Sequence, residues 1–159
     1  MSDIALLKEM IKEAATVSLK GNKVTLEEPA VPDCSVTIQG MPDEDEVIVI
    51  KADAFQSPDT VFVGSQGECK RADFVIVADT GAKKVAICLE LKKTKASEKE
   101  IIQQLKGAQC FVRYCQEIGK VFWGYPTFLK AYQYRFVSIS HISIAKKKTC
   151  IDRVLKKLH

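Results

Sequence analysis

The sequence predicts an α/β or α+β protein with a mixed central β-sheet flanked by helices. Two amphipathic helical patterns and a series of short apolar runs bounded by glycine and proline support this fold class. At 159 residues the chain has the length of one domain and can bury one core, so we expect residues 1–159 to form a single domain. Hydrophobic residues make up 47% of the chain and charged residues 28%, which is typical of a globular protein rather than a disordered or fibrous one.

The N-terminal part predicts a helix followed by short strands. Apolar residues recur at helical spacing through residues 3–19, and Gly21 ends the pattern. Glycines and prolines then separate apolar runs of strand length, which favours an antiparallel meander. The expected strands are residues 24–27, 34–39, 47–51 and 60–63. Of these, we expect residues 47–51 to be the most buried. A glycine-rich turn is expected at residues 64–67.

A β-hairpin is predicted in the middle of the chain. The apolar run at residues 85–91 predicts a buried strand, and Gly81 supplies the positive φ that a tight reversal from the preceding strand needs. Successive side chains of a strand alternate between faces, so Glu90 and Lys92 share one face. The reversal brings Asp73 back to the far end of this strand.

The second half of the chain predicts a long helix and a closing strand. Ser97 and Glu100 form a capping box, and the apolar series that follows predicts a helix over residues 97–118 that Gly119 ends. Alternation of apolar and polar residues over 134–144 predicts a strand that closes the sheet.

Asp73, Glu90 and Lys92 form a combination that suits phosphodiester hydrolysis. Two carboxylates can bind Mg²⁺ through hard oxygen ligands. The ammonium group of Lys92 can position or deprotonate an attacking water, or stabilise the charge that develops on the phosphate. Burying an acid and a lysine costs free energy unless they are paired or bind a metal, which favours a functional site. The alternative is a solvated strand end that carries no chemistry.

An acidic residue on one strand and acid-x-Lys on the next, here Glu90-Leu91-Lys92, resembles the motif of the PD-(D/E)xK nuclease superfamily. The chain departs from the family name at Ala72, where the proline would stand. The resemblance implies a restriction-endonuclease-like fold and a nuclease that depends on Mg²⁺ or Mn²⁺. By the same resemblance, Asp73, Glu90 and the backbone carbonyl of Leu91 would be metal ligands, and Lys92 would be the catalytic lysine.

The resemblance also implies supporting residues on the two helices. Several members carry a glutamine on the helix after the acid-x-Lys strand, and many carry a glutamate on the N-terminal helix. Gln104 lies at the edge of the predicted buried stripe whereas Gln103 points away, so Gln104 is the candidate, with a surface amide as the alternative. Glu9 and Glu13 lie one turn apart on the predicted first helix and are the candidate additional acids, with plain solvent exposure as the alternative.

Basic residues are concentrated in the second half of a chain whose net charge is +4. Lys93, Lys95 and Lys99 would follow the phosphate backbone of a nucleic acid, and solvated lysine faces are the alternative. DNA is the expected substrate because the superfamily mostly cuts DNA. Cutting both strands with one small domain would favour a homodimer.

Other features narrow the class of protein. We expect a cytoplasmic protein that does not enter membranes, because no apolar run is long enough to cross a bilayer and no signal-peptide pattern is present. The six cysteines form no Cys-x-x-Cys pair, which favours reduced thiols over a zinc site. The alternative function is a non-catalytic binding module of the same fold, or a small partner protein of a defence or toxin system.

Overall fold

Residues 1–28, 35–92 and 97–140 are described by the computed structural model. Within these ranges the chain forms two helices, α1 (Asp3–Met10) and α2 (Glu98–Phe122). The strands are β1 (Lys23–Glu27), β2 (Ser35–Gln39), β3 (Val47–Lys51), β4 (Phe74–Asp79), β5 (Lys84–Lys92) and β6 (Gln133–Ser140). This mixture of helices and strands confirms the predicted α+β class.

A mixed sheet with the strand order β3-β4-β5-β6 forms the centre of the fold. β3, β4 and β5 are antiparallel neighbours, whereas β6 runs parallel to β5. Parallel neighbours cannot be joined by a tight turn, and α2 supplies the long connection between them. β1 and β2 form a separate antiparallel pair.

Alternate residues of the central strands face two different layers. One face, which includes Val75 and Cys88, packs against apolar residues of α1 and α2. The opposite face, which includes Phe74 and Leu89, packs against the β1–β2 pair. β4 and β5 are therefore covered on both faces, so a charged side chain near their ends lies close to a region from which water is excluded.

The first helix is shorter than predicted. It ends at Met10, and Ile11 already has an extended backbone. Farther along, Thr16 forms an antiparallel bridge with Ile50 of β3. β-branched residues favour extended conformations, and pairing with the edge of the sheet replaces the last turns that helical spacing predicts over residues 3–19.

Two strand predictions are also wrong. The expected meander does not form, because β3 pairs with β4 rather than with β2. Next to β4, four consecutive residues of β3 are buried, as expected for residues 47–51. Their side chains pack alternately into the two apolar layers on either face of the sheet. Residues 60–63 form turns and bends instead of a strand, and the side chains of Val61 and Val63 are 76% and 92% exposed.

Helix α2 continues past the predicted stop at Gly119 and ends at Phe122. A Cβ atom at Gly119 would lie 2.1 Å from Cδ2 of Phe128, so this glycine permits close packing of the following turn instead of ending the helix. Residues 141–144 of the predicted last strand and the basic C-terminal segment lie outside the described residues. Neither helix of the described ranges is long and apolar enough to cross a membrane.

Candidate active site

The site lies at the end of the β4–β5 hairpin away from its turn, here called the open end, where Asp73, Glu90 and Lys92 meet. Antiparallel pairing places Phe74 opposite Leu89, so Asp73 and Glu90 follow as the next neighbours. The backbone N–H of Asp73 donates to Oε2 of Glu90 at 3.1 Å, and the N–H of Leu91 donates to Oδ2 of Asp73 at 2.8 Å. Each carboxylate is thus held by the backbone of the opposite strand.

Lys92 forms an ion pair with one of these two acids. Its Nζ lies 3.4 Å from Oε1 of Glu90, as expected for residues two apart on one strand face. Glu90 is only 4% exposed and is the one buried charged residue in the described part of the chain. The structure therefore brings Asp73, Glu90 and Lys92 together, in the hairpin register that the spacing predicts.

Both carboxyl groups are perturbed toward the protonated form. Burial, and then the negative charge of Glu90, raise the pKa of Asp73 to about 8, while the N–H of Leu91 acts in the opposite direction. Burial also raises the pKa of Glu90, and the ammonium group of Lys92 opposes this shift. Two acids with one lysine leave an uncompensated negative charge in a region poor in water, so the site favours either a bound proton or a bound cation.

Glu28 is a third acid at the open end, and sequence reasoning missed it. It directly follows β1, and its carboxyl group forms a side-chain hydrogen bond with Asp73 and further raises the pKa of Asp73. Its charge also acts on Asp53. The packing of the β1–β2 pair across the sheet brings Glu28 here, and no periodicity or spacing in the sequence indicates that contact.

Leu91 contributes through its backbone. Its side chain is buried in the layer that faces β1 and β2, opposite to Glu90. Its N–H already contacts Asp73, so the main chain of Leu91 lies at the site. Its carbonyl as a metal ligand stays a prediction.

Two polar side chains on elements that pack against β5 have buried oxygen atoms without a hydrogen-bond partner among the described residues. They are Gln104 on α2, through Oε1, and Ser138 on β6, through Oγ. Ser138 is the register partner of Glu90 in the parallel β5–β6 pairing. Gln104 lies in the second turn of α2, which begins shortly after β5 ends. Gln103, by contrast, donates to the backbone oxygen of Gln66 at 3.4 Å.

Three of the remaining candidate residues lie in described parts of the chain, and all three are exposed. Glu9 is exposed on α1, and Glu13 is exposed in a separate 3₁₀ turn, so the predicted single face that carries both does not exist. Lys99 is exposed in the first turn of α2. Lys93 and Lys95 lie outside the described residues.

The donor set for a metal is a pair of carboxylates. In residues 1–28, 35–92 and 97–140 no group of three or more His, Cys, Asp and Glu side chains has the geometry of a metal site. Asp73 and Glu90 nevertheless fit a hard divalent cation chemically, since both offer carboxylate oxygens and their combined charge exceeds that of Lys92. The pair would hold Mg²⁺ together with ligands from water or substrate, which is the usual way in which this ion is bound.

Comparison of the chain with protein-family models, with curated proteins and with solved structures gives no significant match. The resemblance to the PD-(D/E)xK superfamily therefore depends on Asp73, Glu90 and Lys92 and on the hairpin that carries them.

Proposed function

We propose that the protein is a Mg²⁺-dependent nuclease that hydrolyses phosphodiester bonds of DNA. The observation that carries this proposal is the pair of carboxylates, Asp73 and Glu90, held together in a poorly solvated strand end with a single lysine. Such a pair is costly without a compensating cation, and folds retain this kind of cost mostly at functional sites.

The residues of the open end have separable roles in this reaction. Asp73 and Glu90 would hold Mg²⁺, or Mn²⁺ in its place. The bound ion supplies Lewis-acid polarisation of a phosphate oxygen and lowers the pKa of a water molecule. The ammonium group of Lys92, which lies beside Glu90, would orient the attacking water or stabilise charge on the phosphate.

Gln104 has the properties of a water-positioning residue. Its buried Oε1 has no partner among the described residues, and an unsatisfied buried acceptor costs about 1–3 kcal/mol. A water molecule or a substrate hydroxyl that donates to this oxygen would remove the cost. We infer that Gln104 orients the nucleophile, and does not itself transfer a proton, because an amide does not titrate in this pH range.

DNA as the substrate rests on the superfamily resemblance and on the lysines that follow β5 in the sequence. Lys99 is exposed in the first turn of α2, close in sequence to the end of β5. Together with Lys93 and Lys95 it would neutralise phosphates on either side of the scissile bond. A homodimer would place two such sites on opposite strands.

The second candidate function is a non-catalytic binding module with the same fold. The observation that favours it is the closure of the site by its own residues, since Lys92 pairs with Glu90 and Glu28 bonds to Asp73. An arrangement held by an ion pair and by a hydrogen bond between two acids, with a proton bound to one of them, needs no metal to be stable.

Metal binding and cleavage together distinguish the two functions. Isothermal titration of the purified protein with Mn²⁺ should give one bound ion per chain, and supercoiled plasmid should be nicked with Mg²⁺ but not with a chelator. The Asp73→Asn variant should lose both properties. No ion bound by the wild type, or equal nicking by the variant, would reject the nuclease and favour the binding module.

A further inference from the structure

We propose that a pocket beside the open end binds one unpaired nucleobase of the strand whose phosphate reaches Asp73 and Glu90. The proposal rests on the nuclease function and specifies its substrate as single-stranded or locally opened nucleic acid. The pocket, here called the aromatic pocket, has a volume of about 350 Å³ and lies between α2 and the segment that connects β3 with β4. Its walls include Phe55, Pro58, Phe62, Arg71, Phe111 and Tyr114.

The arrangement of the rings leaves aromatic surface available for stacking. The ring centroids of Phe55 and Phe111 lie 5.4 Å apart with a tilt of 47°, and those of Phe55 and Tyr114 lie 5.7 Å apart in an edge-on geometry. Neither contact is a parallel stack, and an edge-on contact covers a face of only one of its two rings. The side chain of Tyr114 is 53% exposed and that of Phe55 36% exposed, an unusual amount of aromatic surface to leave in water.

The pocket is already formed in the protein. Nη1 of Arg71 donates to the backbone oxygens of Asp53 at 2.9 Å and Phe55 at 2.8 Å, which fixes the segment that carries Phe55. A Cβ atom at Gly107 would lie 1.9 Å from the backbone oxygen of Lys70, so glycine allows the opposite wall to contact α2 directly. A preformed pocket binds its ligand without an additional ordering cost.

The chain connects the aromatic pocket directly to the carboxylates. Arg71 lies in the pocket wall and stands two residues before Asp73, a separation that even extended chain limits to about 7 Å. The backbone N–H of Ala52 donates to the oxygen of Asp73 at 2.9 Å, and the segment that carries Phe55 starts there. A nucleotide with its phosphate at Asp73 would therefore have its base within reach of Phe55 and Tyr114.

Charge and shape together favour a nucleobase over other apolar groups. The pocket wall carries two cationic residues, Lys70 and Arg71, and one acid, Glu68. Lys70 also lies 3.9 Å from Glu100, an exposed pair whose attraction is weak. The excess of cationic groups on the wall beside the rings suits a ligand that combines a flat aromatic group with a phosphate. A base in duplex DNA is stacked and paired, and it would have to leave the helix to enter. The pocket thus predicts a preference for single strands, frayed ends or weakened base pairs.

The test is binding in the presence of a chelator, where no cleavage can occur. A short single-stranded oligonucleotide that carries 2-aminopurine should bind with quenching of its fluorescence, and more tightly than the same sequence in a duplex. Tyr114→Ala and Phe55→Leu should each weaken the single-strand affinity about tenfold, the size of a lost base–aromatic stack. Phe122→Ala is the matched control, because Phe122 is an exposed aromatic residue at the other end of α2 and should leave the affinity unchanged.

Several outcomes would overturn the proposal. These are equal affinity for single strand and duplex, no quenching, or affinities that Tyr114→Ala and Phe55→Leu do not alter. A dimer that Tyr114→Ala dissociates in sedimentation experiments, without any effect on oligonucleotide binding, would assign the pocket to a second copy of the chain. Failure of the nuclease would look different, since Mg²⁺ would then produce no cleavage while quenching and its loss in the variants persisted.

Discussion

The two ends of the β4–β5 hairpin contain similar residues in different surroundings. At the turn end Asp79 pairs in register with Lys84, Oδ1 of Asp79 accepts from the N–H of Gly81 at 3.0 Å, and Lys84 is exposed. At the open end the acids Asp73 and Glu90 bond to the opposite strand, with Glu90 buried and Asp73 half-buried. An acid and a lysine on neighbouring strands therefore shape a turn at one end and form a candidate active site at the other.

The difference arises from coverage by the other layers. At the open end Glu28 arrives from the end of β1 and α2 begins close by, so charged groups are crowded and poorly solvated. At the turn end Lys83, Lys84 and Arg135 line an open groove of about 590 Å³. Solvated cationic side chains cost the fold little free energy, whereas two poorly solvated carboxylates cost much more. For this reason the open end is the site to test.

The largest expected difference between the two ends is in catalysis. Glu90→Gln and Lys92→Ala should each lower plasmid nicking with Mg²⁺ by at least about a hundredfold, because the first removes a proposed metal ligand and the second removes the positive charge that acts on the reacting phosphate. Asp79→Asn at the turn end should retain the wild-type rate. Thermal melting of all three variants should show that they remain folded, and nicking by Glu90→Gln at the wild-type rate would point to a contaminating nuclease.

A smaller difference is expected in stabilisation by metal. At a Mg²⁺ concentration about a hundred times its dissociation constant, the gain in unfolding free energy should be about 2.7 kcal/mol. For a chain of this size that gain raises Tm by about 5–10 °C. Asp73→Asn should abolish the rise and Asp79→Asn should keep it, as measured by calorimetry with and without chelator. Equal rises in both variants would place the ion elsewhere.

The pH dependence of stability should also separate the ends. The pKa of Asp73 is raised to about 8 in the folded protein, so the folded state retains a proton that the unfolded state has lost above about pH 4. The contribution of Asp73 to the unfolding free energy of the metal-free protein should therefore be largest below about pH 4 and should fall as the pH rises to about 8. Urea unfolding at several pH values measures this slope.

The isosteric variant Asp73→Asn should remove most of that slope. It keeps an oxygen that accepts from Leu91 and gains an amide that donates to Glu28. At pH 8 it should be more stable than the wild type by about 1–2 kcal/mol, less than the full pKa shift implies because water and relaxation screen the charge. A lower stability of Asp73→Asn at pH 8 would contradict the pKa direction.

The smallest effect concerns the path of the nucleic acid. Lys99→Gln should weaken oligonucleotide binding modestly and reduce the slope of log affinity against log salt by about one, because one phosphate contact is lost. The same measurement on Lys84→Gln tests whether the nucleic acid also contacts the turn end. If the salt slope of Lys84→Gln equals that of the wild type, the bound nucleic acid is confined to the open end. A reduced slope would show that the nucleic acid extends along β5, over about 20 Å. Filter binding at several salt concentrations in chelator provides both measurements.

Part of this site was predictable because its determinants are local. The apolar run before Glu90 and the glycine of the turn fix a hairpin, and the two-residue period of a strand places Glu90 and Lys92 on one face. The N-terminus of α2 followed from Ser97, whose hydroxyl accepts from the N–H of Glu100 at 3.2 Å. The register of the same hairpin places Asp73 next to Glu90, which is why the sequence identifies it as a candidate.

Other features depended on contacts between segments far apart in the chain. Glu28 reaches Asp73 only because the β1–β2 pair packs over the sheet, and Ser138 lies beside Glu90 only because β6 pairs parallel to β5. The end of α1 at Met10 likewise reflects pairing of a later segment with β3. The sequence by itself determined the hairpin, the helix cap and the catalytic candidates, since these follow from short-range hydrogen bonds and side-chain periodicity. Only the tertiary structure decided which acids lose their water, because desolvation is set by the layers that close over a strand end.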